Sequence, residues 1–323
     1  MADLYDGPII DAHHHFWDPL RNHHPWLSGK ENIPFRYGDY SAIKRPYYPD
    51  DYMADAGEHR VVATVYVETE WDPRDPIGET AFIHDVALRY GAPNAVVAQA
   101  WLDAPDAAQV LAAQAAFQRV RSVRHKPGGP ASPAEVGTQR TLMSDDRWRR
   151  GYAELSRHGL HFDLQTPWWN LPEAIELARD FPETQLILNH AGLPSDRSEQ
   201  GLAGWHAAMA QLASCANVAV KVSGIGLPGR RWCVEDNAWI VRETIAMFGA
   251  ERVMFASNFP VDSLCGSFDD IYGGFKRIVA DLPRQQQQQL FHDNARRLYR
   301  TVADVIRIPE PSCLLYTSDA ADE

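Results

Sequence analysis

A chain of 323 residues with 45% hydrophobic and 23% charged side chains has the make-up of an ordinary globular protein and excludes a disordered or fibrous one. Its 31 Lys and Arg against 43 Asp and Glu give a formal charge of −12; with no Lys/Arg run, neither nucleic acid nor an anionic membrane surface is an expected partner. No stretch approaches the roughly 18 apolar residues of a membrane span, and Met1 to Pro8 lacks a signal-like pattern, so a cytoplasmic protein acting on a small molecule is expected, with homo-oligomerisation left open. Cys215, Cys233, Cys265 and Cys313 are too scattered for a disulfide framework and show no CxxC spacing for zinc, so they read as buried thiols.

Short β-branched runs alternate with helical stretches along the chain, the pattern of repeated βα units around a parallel sheet. The predicted strands are Pro8 to His13, Val61 to Val67, Ala95 to Trp101, Val120 to Lys126, Leu160 to Gln165, Thr184 to His190, Val218 to Ser223 and Arg252 to Ser257. Helices are predicted over Pro76 to Tyr90, Ala104 to Gln118, Asp145 to His158, Leu171 to Asp180, Leu202 to Ser214 and Glu235 to Phe248. Pro172 near one start and Gly91, Gly159 and Gly249 just past three ends punctuate them as helix boundaries do.

Eight such units in about 310 residues is the count of a (β/α)8 barrel, an α/β TIM barrel in one domain over residues 1–311. A doubly wound sheet is the alternative, but it would normally carry a Gly-rich phosphate turn after its first strand, where this chain has histidines. Residues 16–49, rich in Pro, Trp, Tyr and His, exceed an ordinary βα loop and are expected to form a lid or rim over the barrel mouth. Cys313 to Glu323 reads CLLYTSDAADE, like a translated sequencing-library adapter, so 312–323 is expected to be a disordered, non-native tail with the genuine chain ending near Pro311.

In a barrel of this kind the active site is built at the C-terminal ends of the strands. The first strand ends Asp11-Ala12-His13-His14-His15, and strict alternation places Asp11, His13 and His15 on one face with His14 turned away. Paired inward histidines at a strand end are a metal-ligand geometry, or else a hydrogen-bonded core pair. Glu68 and Glu70 follow the second strand. Arg124 and Lys126 end the fourth, where cations suit an anionic or polyhydroxy substrate. Gln165, His190, Lys221 and Asn258 mark later ends. Trp17, Trp26, Trp71, Trp168 and Trp169 fall in loops, where they could wall a pocket for the apolar face of a ring.

The DxHxH ending, the turn Asn189-His190-Ala191-Gly192, the run Lys221-Val222-Ser223-Gly224 and the segment Phe255-Ala256-Ser257-Asn258-Phe259-Pro260 together resemble the amidohydrolase superfamily, within it the amidohydrolase-2 branch of metal-dependent TIM-barrel hydrolases. The match runs from Ile9 to about Tyr299, most of the chain, and that branch includes lactonases of sugar acids and of aromatic-degradation intermediates. The resemblance implies that His13, His15 and His190 bind a divalent metal, zinc foremost, or polarise the substrate carbonyl in a metal-free site. It implies that Arg124 contacts substrate; Lys126, Gln165, Trp168, Lys221 and Glu70 join it as candidate substrate contacts.

One departure stands out: Asn258 occupies a position where many relatives carry the Asp that activates water, and a neutral amide cannot serve as a base. Asp262 is then the nearest carboxylate in sequence, with Asp11, Glu68, Glu70 or a neutral His190 as alternatives. The reaction implied is hydrolytic opening of a lactone. A decarboxylase or other lyase on a carboxylated substrate is the alternative, and a sugar-acid-binding barrel without catalysis a third reading.

Overall fold

The computed structural model describes residues 4–303 and residue 306; the predicted tail 312–323 lies outside the described residues. Eight strands form one sheet in chain order, each parallel to the next: β1 (Ile9–His14), β2 (Val61–Val67), β3 (Ala95–Gln99), β4 (Val120–Arg124), β5 (His161–Leu164), β6 (Leu186–Leu188), β7 (Val218–Val222) and β8 (Val253–Phe255). The seam between the last strand and the first is joined beyond β8. Asn258 N donates to the His13 carbonyl at 2.8 Å and His15 N to the Phe259 carbonyl at 2.8 Å. The Asp11 carboxylate takes the place of a ladder partner by accepting Ser257 N at 2.9 Å together with the Ser257 hydroxyl. This is the expected (β/α)8 barrel.

The β1–β2 connection carries α1 (Pro25–Ser28) and α2 (Pro49–Ala56). Then α3 (Pro76–Tyr90), α4 (Ala107–Ala115), α5 (Asp146–Arg157), α6 (Leu171–Asp180), α7 (Glu199–Leu212), α8 (Val234–Phe248) and α9 (Phe268–Ile278) follow β2 to β8 in turn, with α10 (Arg284–Gln288) and α11 (Asn294–Tyr299) after them. The helix α3 shows why local sequence suffices for its bounds. Asp75 caps the free Gly78 N–H at 2.9 Å, Pro76 fills a first-turn position that needs no N–H, and Gly91 ends it in the left-handed region at φ +73°. Both α3 and α6 have the predicted bounds. The sequence reading did not single out α9, although its Ser267–Asp270 capping box is a sequence-level start signal.

Inside the barrel, Ile10, Ala12, Val65, Val67, Val97, Ile187, Ala219 and Met254 pack on one another, and Ala295, Leu298 and Tyr299 of α11 close the floor. That floor is at the N-terminal ends of the strands, because Val302 N bonds the Asn94 carbonyl just before β3 and His161 at the start of β5 bonds the Leu298 carbonyl. The open end is therefore the C-terminal one. Several strands stop short of their predicted ends there: β3 at Gln99, β4 at Arg124, β6 at Leu188 and β8 at Phe255. Beyond those points Lys126, His190 and Asn258 leave the ladder and line the mouth. Among the described residues no helix is long and apolar enough to cross a membrane.

Candidate active site

The first strand delivers its histidines by a bulge. Across the β1–β2 ladder Asp11 pairs with Thr64 and His14 with Tyr66, so Ala12 and His13 together stand opposite the single inward residue Val65. The extra residue reverses the parity of what precedes it, and this corrects the alternation argument. His13 and His15 face inward as expected, but Asp11 turns out to the seam, where it accepts the Tyr52 hydroxyl of α2 at 2.7 Å. A carboxylate so occupied is not at the mouth and is no candidate base. His14 faces away as expected, wedged among Phe16, Tyr52 and Tyr66.

Three imidazoles converge: the His13 ring centroid is 5.1 Å from that of His15 and 4.7 Å from that of His190. His15 donates Nδ1–H to the Val67 carbonyl at 2.8 Å, which leaves its Nε2 an unprotonated acceptor when the ring is neutral, with the Asn258 side chain as a hydrogen-bond partner of the ring. His190 Nδ1 meets the Ser223 hydroxyl at 2.9 Å. His13 is fully buried, and among the described residues neither of its ring nitrogens has a hydrogen-bond partner. Burial first, then the nearby cations Lys221, Arg124 and Arg36 and the neighbouring imidazoles, holds all three well below the usual imidazole range. At neutral pH they are uncharged.

Backbone strain gathers around the same opening. Non-glycine residues with positive φ among the described residues include Glu70 after β2, His190, Ala191 and Leu193 after β6, and Asn258 after β8. Such conformations cost about 1–3 kcal/mol each and persist where the surroundings over-determine them, commonly at functional sites. Gly224, at φ +57°, follows the same logic in reverse. A Cβ there would lie 2.6 Å from His190 Nδ1 and 2.8 Å from the Arg36 guanidinium, so only glycine lets the β7 end pass beneath them.

The cavity above the imidazoles measures about 410 Å3 and is lined by His15, His190, Asn258, Arg124, Gln165, Lys126, Glu68 and Glu70, with Trp26 and Ile33 to Arg36 of the long loop over it. Arg124 pairs with Glu68, donates to Gln165 Oε1 at 2.8 Å and to the Glu68 carbonyl at 2.6 Å, and is 4% exposed. Lys126 pairs with Glu70 at 2.7 Å. Arg124, at the end of β4, and Lys126, two residues beyond it, are thus neutralised in place.

Four expected site residues do not line this cavity: His13, which packs against the rings of His15 and His190 that do, and Lys221, Trp168 and Asp262. Lys221 points into the barrel, but one layer deeper, where its ammonium is 2.6 Å from Asp163; that carboxylate also accepts Tyr299 OH and Asn189 Nδ2, each at 2.9 Å. It is an interior ion pair, fully enclosed. Trp168 packs on α7, so close that a Cβ at Gly204 would be 2.4 Å from its ring. Asp262 is 1% exposed and lies behind Asn258, accepting the amide Nδ2–H at 2.6 Å and Tyr37 OH at 3.1 Å. Its carboxyl is raised by burial, and what it does here is orient Asn258. Of the other expected rim tryptophans, Trp17 is wholly buried and Trp169 is tied by Nε1 to the Pro130 carbonyl at 2.8 Å.

Arg36 was missed: it donates to the Gly224 carbonyl at 3.3 Å and reaches Asp262 at 3.5 Å, tying the long loop to the ends of β7 and β8. A lone arginine in an aromatic loop carries no periodic signal. The donor set does not fit a ready-made divalent-metal site. Neutral imidazoles are the ligating form of histidine, but position 258 offers an amide in place of a carboxylate, and among the described residues no three His, Cys, Asp or Glu side chains converge in a metal-holding arrangement.

A (β/α)8 barrel with an imidazole cluster at the C-terminal mouth defines a hydrolase of the amidohydrolase type. The chain belongs to the amidohydrolase family, whose sequence profile matches residues 10–301. It is 40% identical over 302 residues to the protein y4mH of Sinorhizobium fredii, covering 92% of this chain and all of that one. It is 30% identical over 312 residues to an L-fucono-1,5-lactonase of Burkholderia ambifaria, covering 90% of this chain and 95% of the other. The crystal structure of an amidohydrolase from Burkholderia multivorans, known with bound HEPES and with bound zinc, superposes with a TM-score of 0.75 at 26% identity over 92% of this chain and all of that one.

Proposed function

We propose that this hydrolase opens the lactone of a neutral, polyhydroxylated sugar acid: water adds to the ring carbonyl, the ring C–O bond breaks, and the hydroxy acid is released with one proton. The observation that carries this reading is the pairing of the cavity's cations. With Arg124 on Glu68, Lys126 on Glu70 and Arg36 reaching Asp262, each cation of the cavity has a carboxylate partner, and the cavity is rich in hydrogen-bonding groups. Such a cavity suits hydroxyls better than the carboxylate that a decarboxylase must hold. The likeness to L-fucono-1,5-lactonases supports the same substrate class.

In this reading the guanidinium donors of Arg124 not engaged by Glu68 and Gln165 stabilise the oxyanion. The unprotonated Nε2 of His15 accepts the proton of the attacking water, and Asn258, held by Asp262, positions that water. His190, supported by Ser223, binds the ring oxygen as it leaves, and His13 buttresses both imidazoles. The test is proton release over a panel of sugar-acid and muconolactone-type lactones, before and after chelation, with elemental analysis of the purified protein. Sugar-acid lactones should turn over, and His15→Asn or His190→Asn should reduce kcat/KM by about 100-fold or more. Carbon dioxide release from a carboxylated substrate, without lactone opening, would refute the proposal in favour of the lyase.

A further inference from the structure

Beside the reaction cavity lies a second one of about 310 Å3, walled by the indoles of Trp26, Trp71 and Trp101 and by Pro25 and Pro73, with Gln99 and Glu70 as its polar residues. The two cavities share Trp26, Ile33 and Glu70 in their walls and so adjoin each other. Nothing in the proposed reaction uses the second cavity.

Its walls are held from outside. Trp71 meets the rings of His24 and Phe82, with centroids at 5.1 and 5.8 Å, and Trp101 stands edge-on to His125 at 4.8 Å. Trp26 spends its Nε1–H on the Thr69 carbonyl at 2.7 Å. Trp101 does not: its Nε1–H is buried, and among the described residues it has no partner, nor has the buried carbonyl Oε1 of Gln99. Buried polar atoms without partners are rare enough to require an explanation, and each costs about 1–3 kcal/mol. Both atoms belong to residues that line the same small, indole-walled cavity.

That combination selects the occupant. An aryl or alkyl group would cover the indoles but leave both polar atoms unmatched. An anionic group would face the Glu70 carboxylate, and among the described residues no cation lines the cavity to receive it; Lys126 is already paired with Glu70. A sugar ring answers every feature: its C–H face lies on indole, one hydroxyl accepts from Trp101 Nε1, and another donates to Gln99 Oε1. We infer that the Trp26–Trp71–Trp101 cavity is a second carbohydrate subsite, and that the substrate is a glycosylated aldonolactone whose lactone ring lies over the imidazoles while its second ring occupies the annex. The inference rests on the lactonase reading and extends it from a single ring to a disaccharide acid.

The test compares D-glucono-1,5-lactone with the lactones of cellobionic, maltobionic and melibionic acids in a proton-release assay. It uses wild type, Trp71→Ala, and Trp101→Phe, which keeps the ring against His125 and removes only the N–H. At least one disaccharide lactone should exceed gluconolactone in kcat/KM by about tenfold, the worth of one good aromatic contact and hydrogen bond. Trp71→Ala should erase that advantage and Trp101→Phe should cut it about fivefold, both leaving gluconolactone turnover unchanged. Equal loss on the single-ring and two-ring lactones, or no advantage for any disaccharide in wild type, overturns the subsite. Should no lactone be opened, the lactonase reading falls, and calorimetric titration with the open disaccharide acids against gluconate decides the subsite by itself. About tenfold tighter binding that depends on Trp71 and Trp101 upholds it, and equal binding refutes it.

Discussion

Replacing Glu79 by Gln should remove a defined piece of the pH dependence of stability. Glu79 lies in the first turn of α3 and is 1% exposed; its Oε1 accepts Tyr66 OH at 2.7 Å, Thr69 N at 2.6 Å and the Thr69 hydroxyl at 3.0 Å. It thereby shapes the turn that carries Glu68 and Glu70. Burial, and then the neighbouring Glu68, pushes its carboxyl up from 4.5 to about 7. A group raised in the folded state contributes stability that is fully present below the unfolded value and lost as pH rises through the folded one. The interval from 4.5 to about 7 corresponds to about 3 kcal/mol. Gln keeps an acceptor at Oε1, so the three hydrogen bonds survive and only the titration disappears. Urea unfolding of both proteins at half-unit steps between pH 4.5 and 8 isolates the effect of Glu79 and its coupling to Glu68, because titrating groups that do not interact with Glu79 cancel in the difference. That difference should move by about 3 kcal/mol in favour of the variant as pH rises. A difference that stays flat across the range refutes the burial argument for this carboxylate.

The histidines slope the other way. Burial lowers His14 to about 3 and holds His13, His15 and His190 well below 6.5, so their contribution is present above 6.5 and lost as pH falls. His14→Phe, set among Phe16, Tyr52 and Tyr66, should therefore lose about 2 kcal/mol less than wild type between pH 8 and pH 5, measured by urea midpoints. At the mouth, Asn258→Asp would set a second carboxylate 2.6 Å from that of Asp262 and delete the hydrogen bond between them. The expected cost is about 2–4 kcal/mol at pH 8, recovering toward pH 5 as the pair takes up a shared proton. Equal melting temperatures for variant and wild type at both pH values would show that the two side chains are uncoupled.

What could be read without coordinates was whatever neighbouring residues enforce. Periodicity and caps identified eight strands and six helices, and placed α3 and α6 with their observed bounds, because Asp75, Pro76, Gly91 and Pro172 act within a turn of themselves. The barrel followed from the strand count, and the convergence of His13, His15 and His190 from their positions at strand ends. Tertiary structure decided everything that depends on register and depth. Whether Asp11 shares a face with His13 turns on one bulged residue opposite Val65, which no local propensity announces. Lys221 and Arg124 have the same parity at strand ends, yet Lys221 lies a layer deeper on Asp163 while Arg124 reaches the cavity. Arg36 and Gly224 meet only because the long loop folds back across the mouth. Pairings made between distant parts of a chain leave no trace in the order of residues around either partner. Depth in a barrel is likewise set by strand stagger rather than by the sequence of any one strand.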